Sequence, residues 1–251
     1  MIIAEVGRNH LGVIESAYAY INKLAETSID AITFQVRERE YYLLPEKKQY
    51  IWNTDEYVKL SYHVKKQDKK FGIALADHSL VDFFESINTD FYKVIRNDIN
   101  NNQLISKLID TGKKIFLSTG MCSEGDILNF IQKYGKPKNV ILNHTQLSNS
   151  VTDCNLKAIQ DMKKYGFKVS YGTHCENKNV LYMSLCFDPC DIMFYVKSCD
   201  ILKYPDNKHA IKLEEVESVI YNLISLRGSI GQATKQKMKN KINESDSISR
   251  K

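Results

Sequence analysis

Polar and ionisable residues recur at the ends of short apolar runs in this chain. In order they are Glu5, Asn9 and His10; Gln35 and Arg37; Asp77 and His78; Lys93, Arg96 and Asp98; Ser118 and Thr119; Asn143, His144 and Gln146; Thr173 and His174; and Lys197. Glu5 is embedded in the apolar run Ile2 to Val6. An ionised carboxylate there is costly unless paired, so it either forms an ion pair with a lysine such as Lys93 or takes part in catalysis. Lys93 stands between Tyr92 and Val94, where an ammonium can hold an anionic group or, with a depressed pKa, form a Schiff base with a carbonyl. His174, in YGTHC, reads either as a hydrogen-bonded structural histidine or as a ligand. The Ser118, Thr119 and Gly120 turn offers hydroxyls and a close backbone approach, which suits phosphate or carboxylate.

These residues converge only if the elements carrying them share one rim. The stretch FYKVIRNDINNNQLISKLIDTGKKIFLSTGM, Phe91 to Met121, reads as strand, helix, strand, its period changing from two to about 3.6 and back. Such a crossover makes the two strands parallel, with Lys93 in the first and Ser118 at the end of the second. The same alternation runs through the chain. Strands are expected at Ile2–Val6, Ala31–Gln35, Phe71–Leu75, Phe91–Ile95, Ile115–Leu117, Val140–Asn143, Phe167–Tyr171 and Asp191–Val196. The helices between them include one capped by Thr54 that runs to about Lys69 and a final one over Leu213–Leu226. Eight strand and helix pairs predict an α/β fold of the closed (β/α)8 TIM-barrel type, with a doubly wound sheet as the alternative. The segment from Val36 to Asn53, with Arg37, Glu38, Arg39, Tyr41, Tyr42 and Trp52, is long enough to be a functional loop.

A chain of 251 residues, 43% hydrophobic and 26% charged, has the profile of one soluble globular domain. The barrel is expected over residues 1–231 and a basic flexible tail over 232–251, where Lys235, Lys237, Lys239, Lys241, Arg250 and Lys251 carry part of the net charge of +5. No nucleic-acid recognition motif accompanies that tail, so specific nucleic-acid binding is not expected. With no membrane-length apolar run and no secretory signal pattern, the expected location is the cytoplasm, with no membrane partner. Six cysteines without a CxxC pair suggest neither a zinc knuckle nor a disulfide framework, and Cys186 and Cys199 are expected to pack as small apolar groups.

Taken in order, the blocks IIAEVGRNHLG, DAITFQ, FYKVIRNDINN, TGKKIFLSTGM, VSYGTHC, PDNKHAIKLEE and LRGSIG, between residues 2 and 231, resemble the N-acetylneuraminate (sialic acid) synthase family. The resemblance implies a barrel transferase that condenses phosphoenolpyruvate with an N-acyl hexosamine-type sugar to give a nonulosonic 2-keto acid and phosphate. It covers the barrel alone: the family's antifreeze-like domain, which supplies an arginine to the partner subunit in a swapped homodimer, would begin about where this sequence reaches SISRK. By resemblance Glu5 is the acidic residue near the sugar carbonyl, with Asn9 and His10 in the loop after it. Lys93 binds phosphoenolpyruvate, and Ser118, Thr119 and Gly120 form the phosphate-side turn. His174 is one of two histidines that hold a divalent metal, manganese or magnesium, and His209 belongs to a late PDH-like block. Gln35 and Asn143 are counted with the substrate contacts.

The departures shape the expected chemistry. Thr33 stands where the family usually has a phosphoenolpyruvate-binding lysine, and Arg96 stands where a serine follows the strand-four lysine. Gly172 and Thr173 replace a SerAsp pair, and Asn143 and His144 stand where HisCys is common. The place of the second metal histidine holds Tyr195, Val196 and Lys197. Lys197 is therefore read as a catalytic cation taking over part of the metal's role beside His174, and Arg96 as an anion clamp. The alternatives are a catalytically degenerate barrel that binds a sugar acid or a synthase partner, and a Lys93 Schiff-base aldolase.

Overall fold

Strands buried on both faces are apolar nearly throughout, and the runs that meet this description all become strands. The computed structural model describes residues 1–96, 98–232 and 234–235. Its strands are β1 (Ile2–Gly7), β2 (Ala31–Val36), β3 (Lys70–Leu75), β4 (Phe91–Val94), β5 (Lys114–Ser118), β6 (Val140–His144), β7 (Lys168–Gly172) and β8 (Ile192–Lys197). They pair in sequence order, all parallel, and β8 pairs with β1 to close the barrel, which removes the doubly wound alternative. A two-residue strand β9 (Ile211–Lys212) adds to the end of β8, an element the apolar pattern does not signal. The helices are α1 (Ile14–Ala25), α2 (Thr54–Lys66), α3 (Val81–Ser86), α4 (Asn102–Asp110), α5 (Glu124–Tyr134), α6 (Ala158–Lys163), α7 (Asn179–Ser184) and α8 (Val216–Ile230). Among the described residues no helix is long and apolar enough to cross a membrane. Residues 236–251, most of the expected tail, lie outside the described residues.

Side-chain alternation sorts each strand into two faces. Ala4, Val6, Ile32, Phe34, Phe71, Ile73, Leu117 and Phe194 face the helix layer and build the main core. Ile3, Ala31, Phe91, Phe116, Ile141 and Met193 form a second apolar cluster inside the barrel, where Phe91 and Phe116 meet edge to face with ring centroids 5.6 Å apart. Two residues further along the same strands stand Glu5, Thr33, Lys93, Ser118, Asn143 and Tyr195, all buried. An apolar plug thus supports a polar layer just below the carboxyl rim, the face on which barrels of this type carry chemistry.

Three local expectations are corrected. The cap of α2 is Asn53, whose side chain accepts from the Glu56 N–H while Glu56 accepts from the Asn53 N–H; this reciprocal box places Thr54 inside the helix. The last helix begins at Val216 after a 3-10 turn at Leu213–Glu215. Cys186 is exposed and Cys199 half-buried, because the segments after α7 and β8 turn outward.

The segment from Val36 to Asn53 is not structureless: it contains 3-10 turns at Arg39–Leu43 and Lys48–Tyr50. It is pinned where Trp52 Nε1 donates to Gly12 O at 3.0 Å and where the Gly12 Cα faces the Gln49 backbone. Gly12 has φ +85°, and a Cβ there would lie 2.1 Å from Gln49 O. Gly12→Ala is therefore expected to cost more than about 2 kcal/mol, strain and clash together, read as a lower urea midpoint at unchanged m-value.

Candidate active site

The barrel mouth holds a cleft of about 220 Å³ lined by Arg8, Gln35, Lys93, Arg96, Ser118, His174, Tyr195 and Asp206, with Ile95, Thr145 and Leu147 closing its sides. Two larger hollows, of about 580 and 460 Å³, are lined mainly by helices and loops, the second also by His144 at the end of β6. The smaller cleft is the one floored by the barrel's polar layer and lined by three cationic side chains. Those cations, with the Gln35 amide and the Ser118 hydroxyl, suit a small anionic ligand.

At its floor Lys93 Nζ donates to Glu5 Oε2 at 2.5 Å, with both side chains almost wholly buried. The structure thus shows Glu5 and Lys93 as an ion pair. Lys93 Nζ also lies 5.6 Å from the Tyr195 ring centroid. Gly7, at φ +55°, lets Tyr195 and Asp206 close over the end of β1: a Cβ there would lie 2.8 Å from Tyr195 Cε1 and 3.5 Å from Asp206 Oδ2.

On one wall Arg8 donates from Nε to Gln35 Oε1 at 3.3 Å, and its guanidinium carbon lies 5.0 Å from the Tyr41 and 5.5 Å from the Tyr50 ring centroid. The loop after β2 therefore orients the arginine through cation–π contacts. Arg96, after β4, is exposed at φ +50°. The Ser118 turn, after β5, is fastened to β6, with Thr119 donating from N and Oγ1 to Asn143 O at 3.0 and 3.1 Å. The Gly120 N–H donates to Ser118 Oγ at 3.3 Å. Asn143 accepts from Ser170 Oγ at 2.9 Å and leaves its Nδ2 buried without a partner.

The other wall is a triangle of rings. Centroids are 4.5 Å apart for His174 and His209, 5.2 Å for His174 and Tyr195, and 5.0 Å for Tyr195 and His209. Burial pushes the His174 pKa down to about 2, with His209 and then Lys93 adding to the effect. Burial and then Lys93 hold His209 at about 4. Both imidazoles are therefore neutral at pH 7. Burial pushes Asp206 up to about 6, against the pull of Arg8, and its Oδ2 has no partner.

Several expected site residues do not line this cleft: Thr119 lines the hollow of about 460 Å³ instead, and Asn9, His10 and Lys197 are engaged elsewhere. Asn9 Nδ2 donates to Val196 O at 2.8 Å and its Oδ1 accepts from the Asp206 N–H at 3.2 Å. His10 Nδ1 accepts from the Gly12 N–H at 3.0 Å, and its ring packs on Trp52 at 3.9 Å. Lys197 Nζ is drawn out of the barrel to Asn207 O and Asp200 Oδ1, each at 3.0 Å, so it does not reach His174. Sequence reasoning passed over Arg8, Thr145, Tyr195 and Asp206 as site residues. Arg8 lies inside the GRNHLG loop and Asp206 inside the PDNKH block, so the signal was present in both.

The resemblance implies a divalent cation beside His174. Among the described residues no group of three or more His, Cys, Asp or Glu side chains is set to hold one. Two neutral imidazoles do meet there, and His209 Nε2 is buried without a partner, so the donors fit a two-histidine site whose remaining positions fall to substrate or water.

Fold and site together define a (β/α)8-barrel protein with an anion-suited cleft at the carboxyl rim of its strands. The NeuB family model matches residues 22–235, and the chain belongs to the NeuB family. It is 25% identical to an N,N'-diacetyllegionaminic acid synthase of Campylobacter jejuni, over 95% of this chain and 80% of that protein. It is 22% identical to the N-acetylneuraminate-9-phosphate synthase of Mus musculus, over 94% of this chain and 72% of that protein. The crystal structure of a sialic acid synthetase from Leptospira borgpetersenii, solved with citrate, superposes with a TM-score of 0.88 at 24% identity, covering all of this chain and 92% of that one.

Proposed function

We propose that this protein is a phosphoenolpyruvate-dependent transferase that forms a carbon–carbon bond to an N-acylated amino sugar and releases phosphate. The observation that carries the reading is the cleft itself, in which Lys93, Arg8, Arg96 and Ser118 surround a space of about 220 Å³ at the barrel rim. Membership of a family whose relatives include synthases of nonulosonic acids supports it.

In this scheme C3 of the enolpyruvate bonds to the open-chain aldehyde carbon, and the carbonyl electron pair becomes an alkoxide on the sugar. Water adds to the cationic C2, phosphate departs with the C2–O bond, and a 2-keto acid remains. One water proton ends on the new hydroxyl and the other leaves with phosphate. Lys93 and Ser118 bind the anionic end of phosphoenolpyruvate and Arg96 clamps it from the rim. Glu5 holds Lys93 in place and accepts or returns a proton close to the reacting carbons. The neutral rings of His174 and His209 face the aldehyde side, where they exclude water and donate or accept hydrogen bonds. A divalent cation, when bound, supplies Lewis-acid polarisation of the aldehyde oxygen.

The test is phosphate release from phosphoenolpyruvate with a panel of N-acylated hexoses, run with manganese, with magnesium and with a chelator. Release with at least one acceptor is expected. Arg96→Ala, at an exposed position, is expected to raise the KM for phosphoenolpyruvate about tenfold, the loss of one charge-assisted contact. Folded protein that releases no phosphate with any acceptor would replace this reading with a binding barrel.

A further inference from the structure

The end of β8 carries Tyr195 and Lys197 but no histidine, and Lys197 is tied to Asp200 and Asn207 outside the cleft. The chain then makes a loop and returns over the barrel mouth. Its return is held in part by Asn9, whose Nδ2 donates to Val196 O at 2.8 Å and whose Oδ1 accepts from the Asp206 N–H at 3.2 Å, and by Lys197 Nζ, which donates to Asn207 O. Three residues beyond Asp206, His209 is set beside His174, with ring centroids 4.5 Å apart.

We propose that His209, from the loop after β8, supplies with His174 a two-imidazole site for a divalent cation, replacing the strand histidine that β8 lacks. The proposal rests on the synthase reading for its use but on geometry for its existence. His209 Nδ1 lies 3.2 Å from Asn149 Oδ1. An amide oxygen only accepts, so Nδ1 carries the proton and Nε2 presents its lone pair. That Nε2 is buried and has no partner, an arrangement that costs free energy unless something fills it. A metal-bound histidine has this pattern, one nitrogen oriented by a hydrogen bond and the other free to coordinate. Asp206 Oδ1 lies 3.7 Å from Nε2, and its Oδ2 is likewise buried and unpartnered, so a carboxylate stands near the open imidazole without completing a three-residue donor set among the described residues. Imidazole with substrate and water oxygens suits a borderline divalent ion such as Mn²⁺. Lys93 opposes a cation here, but its charge is matched by Glu5 at 2.5 Å.

The experiment is titration of the chelator-stripped full chain with Mn²⁺, followed by the loss of the free-ion electron paramagnetic resonance signal. The unsubstituted protein is expected to bind one ion, His174→Ala and His209→Ala each at least tenfold more weakly, and His63→Ala, a substitution on α2, unchanged. Equal binding by His209→Ala and the unsubstituted protein, or none by the latter, would overturn the proposal. Should either alanine variant fail to fold, His209→Asn, which keeps a hydrogen-bonding group near the place of Nδ1 and lacks Nε2, decides it: weaker Mn²⁺ binding is expected, and binding equal to that of the unsubstituted protein would overturn the role of His209. Phosphate release separates this proposal from the synthase reading. Release that persists in protein shown to bind no Mn²⁺ would remove the site and leave the synthase. Mn²⁺ held by both histidines without release from any acceptor would leave the site and remove the synthase.

Discussion

Lys93→Ala is expected to destabilise the protein by about 3–5 kcal/mol and to abolish phosphate release. The stability term follows from what remains behind. Lys93 and Glu5 form a buried pair at 2.5 Å, and removing one partner strands the other charge in a site with little water. Glu5 then either stays ionised without compensation or takes up a proton, and each course costs free energy. The activity term has a different origin, since Lys93 is the cation at the floor of the cleft. The double substitution Glu5→Gln with Lys93→Met separates the two. Replacing a buried ion pair with neutral groups of similar volume is often neutral or stabilising, so the double variant is expected to recover most of the urea midpoint lost by Lys93→Ala. It should recover none of the phosphoenolpyruvate binding. A double variant that regained both would show that Lys93 serves the fold alone.

The polar layer was legible because strand alternation is strict: a charged residue at Glu5 or Lys93 inside an apolar run has few places to go except the barrel interior, and each is the other's natural partner. The closed barrel was legible for a related reason, the regular exchange of apolar strands and amphipathic helices. The ring wall of the cleft was not. His209 comes to His174 through a return loop that depends on Asn9, a side chain 197 residues from the backbone amide it holds, and no local period encodes such a contact. Lys197 shows the opposite failure. Its place at the end of β8 was right, but Asp200 and Asn207, three and ten residues later, offered its ammonium partners outside the cleft. His10, too, reads as a rim residue from its position after β1, yet its ring is buried against Trp52 and Phe34.

That burial of His10 carries the second large prediction, a steep loss of stability in mild acid. Burial lowers the His10 pKa from 6.5 to about 3. Below pH 6.5 the unfolded chain binds a proton that the folded chain refuses, so stability falls as pH falls, by about 1.4 kcal/mol per pH unit for each such group. At pH 5 His10 alone costs about 2 kcal/mol. In metal-free protein His209 and His174, held at about 4 and about 2, each add about as much. Asp206 acts in the other direction: its folded pKa of about 6 lies above the ordinary 3.8, so the folded state takes up its proton first and regains about 1.4 kcal/mol by pH 5. These four groups together give a loss on the order of 5 kcal/mol between pH 7 and pH 5, comparable with the whole stability of many domains, and burial of His144 acts in the same direction. Urea unfolding of the chelated protein at pH 7, 6 and 5 measures it. His10→Asn, whose Oδ1 stands in for Nδ1 as the acceptor from the Gly12 N–H, should reduce the loss by about 2 kcal/mol. A pH-independent midpoint over this range would mean that these imidazoles reach water in the folded state, and a dry ring wall beside the cleft would have to be abandoned.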